Sequence, residues 1–350
     1  MPRRVLSAVL RCVLSARLPA RPANRGWHGA VSLAAAILLP LAVLTGCGSN
    51  SASSQAQASG SADLSQVTLR VAHQNRQTKA LMEAAGVLDD VPYRIEWSNF
   101  PAALPLLEAL RANAVDIGVA GDAPTLNAFG QQAPIKIVAA VRGPTDSTNI
   151  LVPKDSPIRS VTDLKGRTVS PTTRGSIGHY LLLRALEQAG LTPSDVKISF
   201  LQPGDATAAF ASGELDAWST WDPYAAAAAD SGARVLVSGK GIMSGLSFLD
   251  AADKALQNPA KRAAMKDFVA RFHKAHQWAN THVEESARVL AQAMGLPQPV
   301  TQAMKRRGPT VPVPLDGALR TELQQVADNY AQAGVVPAGL RVESFFARLD

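Results

Sequence analysis

An α/β protein of two lobes facing a groove is the fold class this sequence predicts, on three observations. Short β-branched strands alternate with helix-periodic segments from residue 67 to about residue 237. The length of 350 residues, 47% hydrophobic and 18% charged, exceeds one compact core. The chain also passes between units near residues 150 and 245. Strands alternating with helices pair in parallel through right-handed crossovers, so each lobe is expected to hold a mostly parallel sheet flanked by helices. The expected division is 66–150 plus 246–350 for a discontinuous first lobe and 151–245 for the second.

Ahead of the first strand the composition changes. Residues 1–47 hold six arginines and no acidic residue, and the uncharged run from Gly29 to Leu44, broken by Pro40, is too short for a good membrane span. This reads as an export signal. Leu44-Thr45-Gly46-Cys47 resembles a bacterial lipobox, which implies a lipid on Cys47 and a body anchored to a membrane, facing the periplasm or the exterior. Residues 48–65, rich in Ser, Ala, Gln and Gly, read as a flexible tether. Without those six arginines, 29 Lys and Arg stand against 28 Asp and Glu, and no basic block could follow a nucleic acid. Only Cys12 and Cys47 occur, so the body beyond them has no disulfide and no thiol chemistry.

In the body, Val67, Leu69 and Val71 alternate with polar neighbours and mark the first strand, and Thr78 is placed to cap the next helix. Tyr93–Trp97, Asp116–Ala120, Ile135–Val141 and Asn149–Val152 follow as strands of the first unit, with a helix through Leu104, Leu107 and Leu110 and another opened by Gly121-Asp122-Ala123-Pro124. The second unit begins near Pro153. Its strands are Thr168–Ser170, Val196–Leu201, Asp216–Thr220 and Arg234–Val237, with Asp205 and Asp222-Pro223 at helix starts. Leu246–Ala251 returns to the first unit. Beyond it the periodicity is helical, through Met265, Phe268 and Phe272 and on past Gly295, Arg306 and Gly334, and reads as buttress. No internal repeat is detectable.

Val169–Leu186 organises the rest. A strand ends at Ser170, a Pro/Thr/Gly loop follows, and a helix starts near Ser176, so free N–H groups and the positive end of the helix dipole favour an anion. Arg174 adds a full charge, and Gly175 and Gly178 let a ligand approach the backbone. Thr78, Asn99, Asp122, Ser176, Asp205 and Asp222 all stand at strand-to-helix junctions, where open α/β sheets bind ligands. Trp218 or Trp221 offers an apolar wall.

These stretches resemble a family. Phe100-Pro101 with Pro105–Leu110, Asp116–Pro124, Asp163–Gly166, Gly175-Ser176 with His179–Leu186, Asp216–Trp218 with Trp221–Tyr224, and Met294–Pro297 are similar to the aliphatic sulfonate-binding proteins of bacterial ABC transporters, over about residues 67 to 340. The wider group includes taurine-, nitrate- and thiamine-precursor-binding relatives. The resemblance implies a type II periplasmic-binding-protein fold that closes on a small anionic ligand, a sulfonate first of all, and delivers it to a permease and its ATPase. Carried over residue by residue, the ligand contacts it implies are Gln74, Asn75, Gly121, Asp122, Thr173, Arg174, Gly175, Ser176, His179, Trp218, Asp222 and Ser247. The chain departs from the pattern in His73–Gln77, which lacks Gly/Ser character, in Ala102-Ala103-Leu104, and at Leu246.

Other classes fit less well. The pyrimidine-precursor enzyme that shares this fold is associated with a Cys-rich motif, and residues 48–350 contain no Cys. No Gly-x-Ser-x-Gly elbow occurs, and Ser176 with His179 lies in one short helical stretch, so no enzyme is expected. His273, His276 and His282 lack a carboxylate or thiolate cluster and read as solvated residues of a polar helix face, so no metal or cofactor is expected. A repressor effector domain would begin with a helix-turn-helix.

Overall fold

The computed structural model describes residues 63–350; the export signal, Cys47 and nearly all of the tether lie outside the described residues. In chain order the first elements are β1 (Thr68–Gln74), α1 (Gln77–Ala84), β2 (Arg94–Phe100), α2 (Ala103–Arg111), β3 (Ile117–Gly121), α3 (Asp122–Gly130) and β4 (Ile135–Arg142). Then come β5 (Thr148–Val152), β6 (Thr168–Ser170), α4 (Ile177–Gln188), β7 (Lys197–Ile198), α5 (Pro203–Ser212), β8 (Ala217–Trp221), α6 (Tyr224–Asp230) and β9 (Arg234–Ser238). After β10 (Leu246–Ala252) and α7 (Asp253–Leu256) the chain is dominated by α8 (Pro259–Thr281), α9 (Val283–Met294), α10 (Gln298–Arg306) and α11 (Gly317–Gln332), with a short β11 (Val311–Val313).

Two sheets result, ordered β2-β1-β3-β10-β4-β11 and β7-β6-β8-β5-β9. They are mixed, where a mostly parallel pairing was expected. β1 pairs in parallel with β2 and β3, and β6 with β7 and β8, but β10 lies antiparallel between β3 and β4, and β5 antiparallel between β8 and β9. The physical reason is the connection: a helix crossover returns the chain in the same direction, whereas β5 and β10 enter their sheets straight from the other one. β5, assigned from the sequence to the first unit, therefore belongs to the second sheet.

Each sheet has its own apolar core. In the first, Leu69 and Val71 of β1 and Leu106 and Leu110 of α2 are fully buried, each worth about 2 kcal/mol of transfer free energy. In the second, Leu181, Leu182 and Leu186 of α4 pack on Ile150, Val169 and Ala217. Gly178 makes the α4 contact possible, since a Cβ there would lie 2.6 Å from the Ser219 carbonyl oxygen of β8. The two chain crossings run side by side: the Gly143 N–H donates to the Gly245 carbonyl at 3.0 Å, and Gly245, at φ +74°, has no room for a side chain because a Cβ would sit 2.4 Å from the Gly143 oxygen.

Candidate functional site

A cavity of about 360 Å³ lies between the two sheets, within the ~300–1,000 Å³ range usual for small-molecule sites. Ten of the twelve residues named above line it: Gln74, Asn75, Gly121, Asp122, Thr173, Arg174, Gly175, Ser176, Asp222 and Ser247. They arrive from the ends of β1, β3 and β8, the loop after β6, and the start of β10. His179 and Trp218 do not reach the wall.

The β6–α4 loop is built as its residue types demand. Ser176 is the N-cap of α4, its hydroxyl accepting from the His179 N–H and donating to the Pro171 carbonyl, each at 3.1 Å. The N–H groups of Ile177 and Gly178 in the first turn have no protein partner among the described residues. His179 works behind the loop: its Nδ1 accepts from the Gly175 N–H, its ring meets Phe200 edge-on, and burial, helped by the Arg174 charge, lowers its pKa to about 4. Arg174 is exposed and stacks its guanidinium 4.0 Å above the Phe200 ring, which holds the charge at the cavity wall.

Trp218 is fully buried, donating from its indole nitrogen to the Thr172 hydroxyl at 3.0 Å. Trp221 is the tryptophan that lines the cavity. Alternation along β8 explains the choice: the two stand three positions apart and so face opposite sides, and Trp221 sits at the strand end where the chain turns into the cleft.

The two cleft aspartates are occupied by the protein. Asp122 accepts from its neighbour's N–H at Ala123 and from the Ser244 hydroxyl; complete burial raises its pKa against those bonds. Asp222 accepts from Ala226 N–H at 3.1 Å and pairs with Arg307 at 2.8 Å; burial raises its carboxyl to about 6 although Arg307 pulls it down. Of the six junction residues, Ser176 alone is a true N-cap; the caps of α1, α2, α3, α5 and α6 are Arg76, Ala102, Gly121, Gln202 and Pro223.

Sequence reasoning missed the third wall. α8 and α10, read as buttress, contribute Phe272, His276, Met304 and Lys305 to the cavity. His273 and His276 are half-buried, where a solvated face was expected; burial and the nearby Lys305 charge take His276 down to about 4. Tyr224 was also missed as a bridge: its hydroxyl reaches Asn75 Oδ1 at 3.0 Å and the Pro101 carbonyl at 2.9 Å across the cleft. The only signal for either was their place after the Trp-Asp-Pro turn or in a helix of mixed polarity. Among the described residues no group of three or more His, Cys, Asp or Glu side chains could hold a metal ion.

Residues 101–286 match the NMT1/THI5-like family. A relative in Escherichia coli (strain K12), named for binding aliphatic sulfonates, is 36% identical over 282 residues, which span 79% of this chain and 87% of its own. The fold superposes on the alkanesulfonate-binding protein of Xanthomonas axonopodis pv. citri bound to MOPS with a TM-score of 0.74 at 31% identity, covering 80% of this chain and 98% of that one. On the periplasmic aliphatic sulphonate binding protein of Escherichia coli the TM-score is 0.69 at 35% identity, covering 80% and 92%. The chain therefore belongs to the NMT1/THI5-like family, in its branch of periplasmic aliphatic-sulfonate-type solute-binding proteins of ABC importers.

Proposed function

We infer that this importer component captures an alkanesulfonate, with the sulfonate oxygens over the first turn of α4 beside Arg174 and the organic tail against Trp221. The observation that carries this reading is the pair of unpartnered N–H groups at Ile177 and Gly178 in the first turn of α4, whose Ile177 lines the cavity together with Arg174. A sulfonate has three acceptor oxygens and one delocalised charge, which suits backbone donors and a dipole better than a tight ion pair. Similarity supports it, since MOPS, itself an organosulfonate, is bound by the Xanthomonas relative. Gln74, Asn75, Gly121, Thr173, Gly175 and Ser247 shape the pocket around the headgroup. His179 and Trp218 act one layer behind, by fixing the Gly175 N–H and Thr172.

Asp122 and Asp222 hold the loops rather than the anion, because both carboxylates are satisfied within the protein. Residues 148–238, from β5 to β9, form the moving lobe against the part of the body that holds the first sheet, and Cys47 carries the lipid that keeps the body near its permease and ATPase; mass spectrometry of the purified chain would detect that lipid directly. The decisive test of the ligand is thermal unfolding of the full chain with alkanesulfonates, taurine, sulfate, nitrate and pyrimidines. A ligand at a hundredfold its Kd adds about 2.7 kcal/mol. Stabilisation by nitrate or a pyrimidine, with none by a sulfonate, sinks the sulfonate reading. Arg174→Gln with undiminished sulfonate affinity rules out a direct contact by that side chain.

A further inference from the structure

Half-buried cations of the first lobe are met by carboxylates or, for Lys136 and Arg262, by backbone carbonyls, whereas Lys305 inside the cavity has neither among the described residues. Arg70 and Lys261 share Asp116, Arg142 pairs with Glu322, Arg271 with Asp90 and Asp267, and Arg307 with Asp222. Lys305, on the last turn of α10, lines the cavity and has no carboxylate within 4.0 Å among the described residues. The cavity it lines also presents Leu81, Phe272, Leu290 and Met304, and the nearby imidazole of His276, kept neutral there, offers no counter-charge. Burial lowers the Lys305 pKa, with no nearby carboxylate to offset it. A half-buried ammonium without a counter-charge is stabilised when an anion arrives beside it.

We propose that Lys305 receives a second anionic group at the far end of the ligand, so that the cavity takes ω-carboxylated alkanesulfonates in preference to plain alkanesulfonates of the same length. Leu81, Phe272 and Met304, which line the same cavity, supply apolar surface for the methylene chain between the two charges. This rests on the sulfonate reading above and extends it to the other end of the same molecule. Lysine suits the task, since a mobile ammonium on a long stem follows a carboxylate whose position varies with chain length.

The test is calorimetric titration of the full chain with two matched series, alkanesulfonates from ethane- to octanesulfonate and the corresponding ω-sulfocarboxylates, on the wild type and on Lys305→Met. Methionine keeps the length and apolar stem while removing the charge. The wild type is expected to bind the best-fitting sulfocarboxylate about tenfold more tightly than its plain counterpart, about 1.4 kcal/mol. Lys305→Met is expected to lose that preference and to keep its affinity for the plain sulfonate, which also shows that the variant folds. Equal or weaker binding of the sulfocarboxylates by the wild type overturns the proposal while leaving the sulfonate reading intact. A preference that persists in Lys305→Met overturns it as well. If no member of either series binds, both readings fall together.

Discussion

The two sheets share one plan and differ in how they neutralise it. Omitting the edge strand β11, the orders β2-β1-β3-β10-β4 and β7-β6-β8-β5-β9 correspond strand for strand, and in each the fourth strand is the antiparallel one supplied from the other side of the crossings. Asp116 and Asp216 stand just before the central strands β3 and β8, and each accepts a backbone N–H from the parallel neighbour, Arg70 at 2.9 Å and Thr168 at 2.8 Å. Six residues on, Asp122 and Asp222 close the same strands at the cleft. The inner pair is reversed, however. Asp116 is buried between Arg70 and Lys261 while Asp216 meets only a distant Arg167 at 3.6 Å; at the cleft end Asp222 has Arg307 and Asp122 has no cation. Architecture fixes where a carboxylate is needed to accept an N–H, and burial decides whether it also needs a charge.

The largest effect that would break this correspondence is at the first pair. Asp116→Ala removes the buried carboxylate shared by two partly exposed cations and a backbone donor and is expected to cost about 4 kcal/mol, whereas Asp216→Ala, more than a third exposed, is expected to cost about 1 kcal/mol. Urea unfolding of the two variants measures this, and equal costs would dissolve the distinction. Next is Arg307→Gln, which leaves the Asp222 carboxylate alone: about 3 kcal/mol at pH 7. That loss shrinks as the pH drops below about 6, where Asp222 takes up a proton, and melting at pH 5 and pH 7 would show it. A cost independent of pH would place the Arg307 effect elsewhere.

Asp122 gives a smaller effect of defined sign. Burial raises its pKa in the folded chain, so the folded state holds that proton more firmly, and the stability so gained is full in acid and is lost as the pH rises. Asp122→Asn is expected to flatten that decline, which a series of melts from acid to mildly alkaline pH reads. Smallest is Tyr224→Phe. It removes one proton shared between Asn75 and Pro101 across the cleft and is expected to cost under about 1 kcal/mol in stability, with a modest loss of ligand affinity.

How much of this was legible beforehand follows from the range over which each signal acts. β1, α2 and α4 could be read because periodicity and capping are local: Leu69 and Val71 alternate, Leu106 and Leu110 share a helix face, and Ser176 caps three residues ahead. The insertion of β5 and β10 could not, since antiparallel entry depends on where the chain has come from and a short apolar run looks the same in either sheet. The correspondence of the sheets also left no repeat in the sequence, because Ile-Gly-Val-Ala-Gly and Ala-Trp-Ser-Thr-Trp satisfy the same strand by different packing. Trp218 and Trp221 were indistinguishable as types. Lys305 and Arg307 sit in one basic run at the end of α10, and only the fold shows that Arg307 meets a carboxylate while Lys305 lines the cavity without one.

The contact between Gly143 and Gly245 has a mechanical consequence. Two polypeptide links joined by a hydrogen bond at 3.0 Å behave as a strap hinge: they bend readily about the line through both, but resist torsion, because twisting would drive the links apart or together where a Cβ already has no room. Motion between the halves of the molecule is thereby expected to follow mainly one angle. A transport partner that has to recognise whether cargo is aboard then needs to gauge only the separation of two rigid faces, a distance set by that angle and independent of what the cargo is.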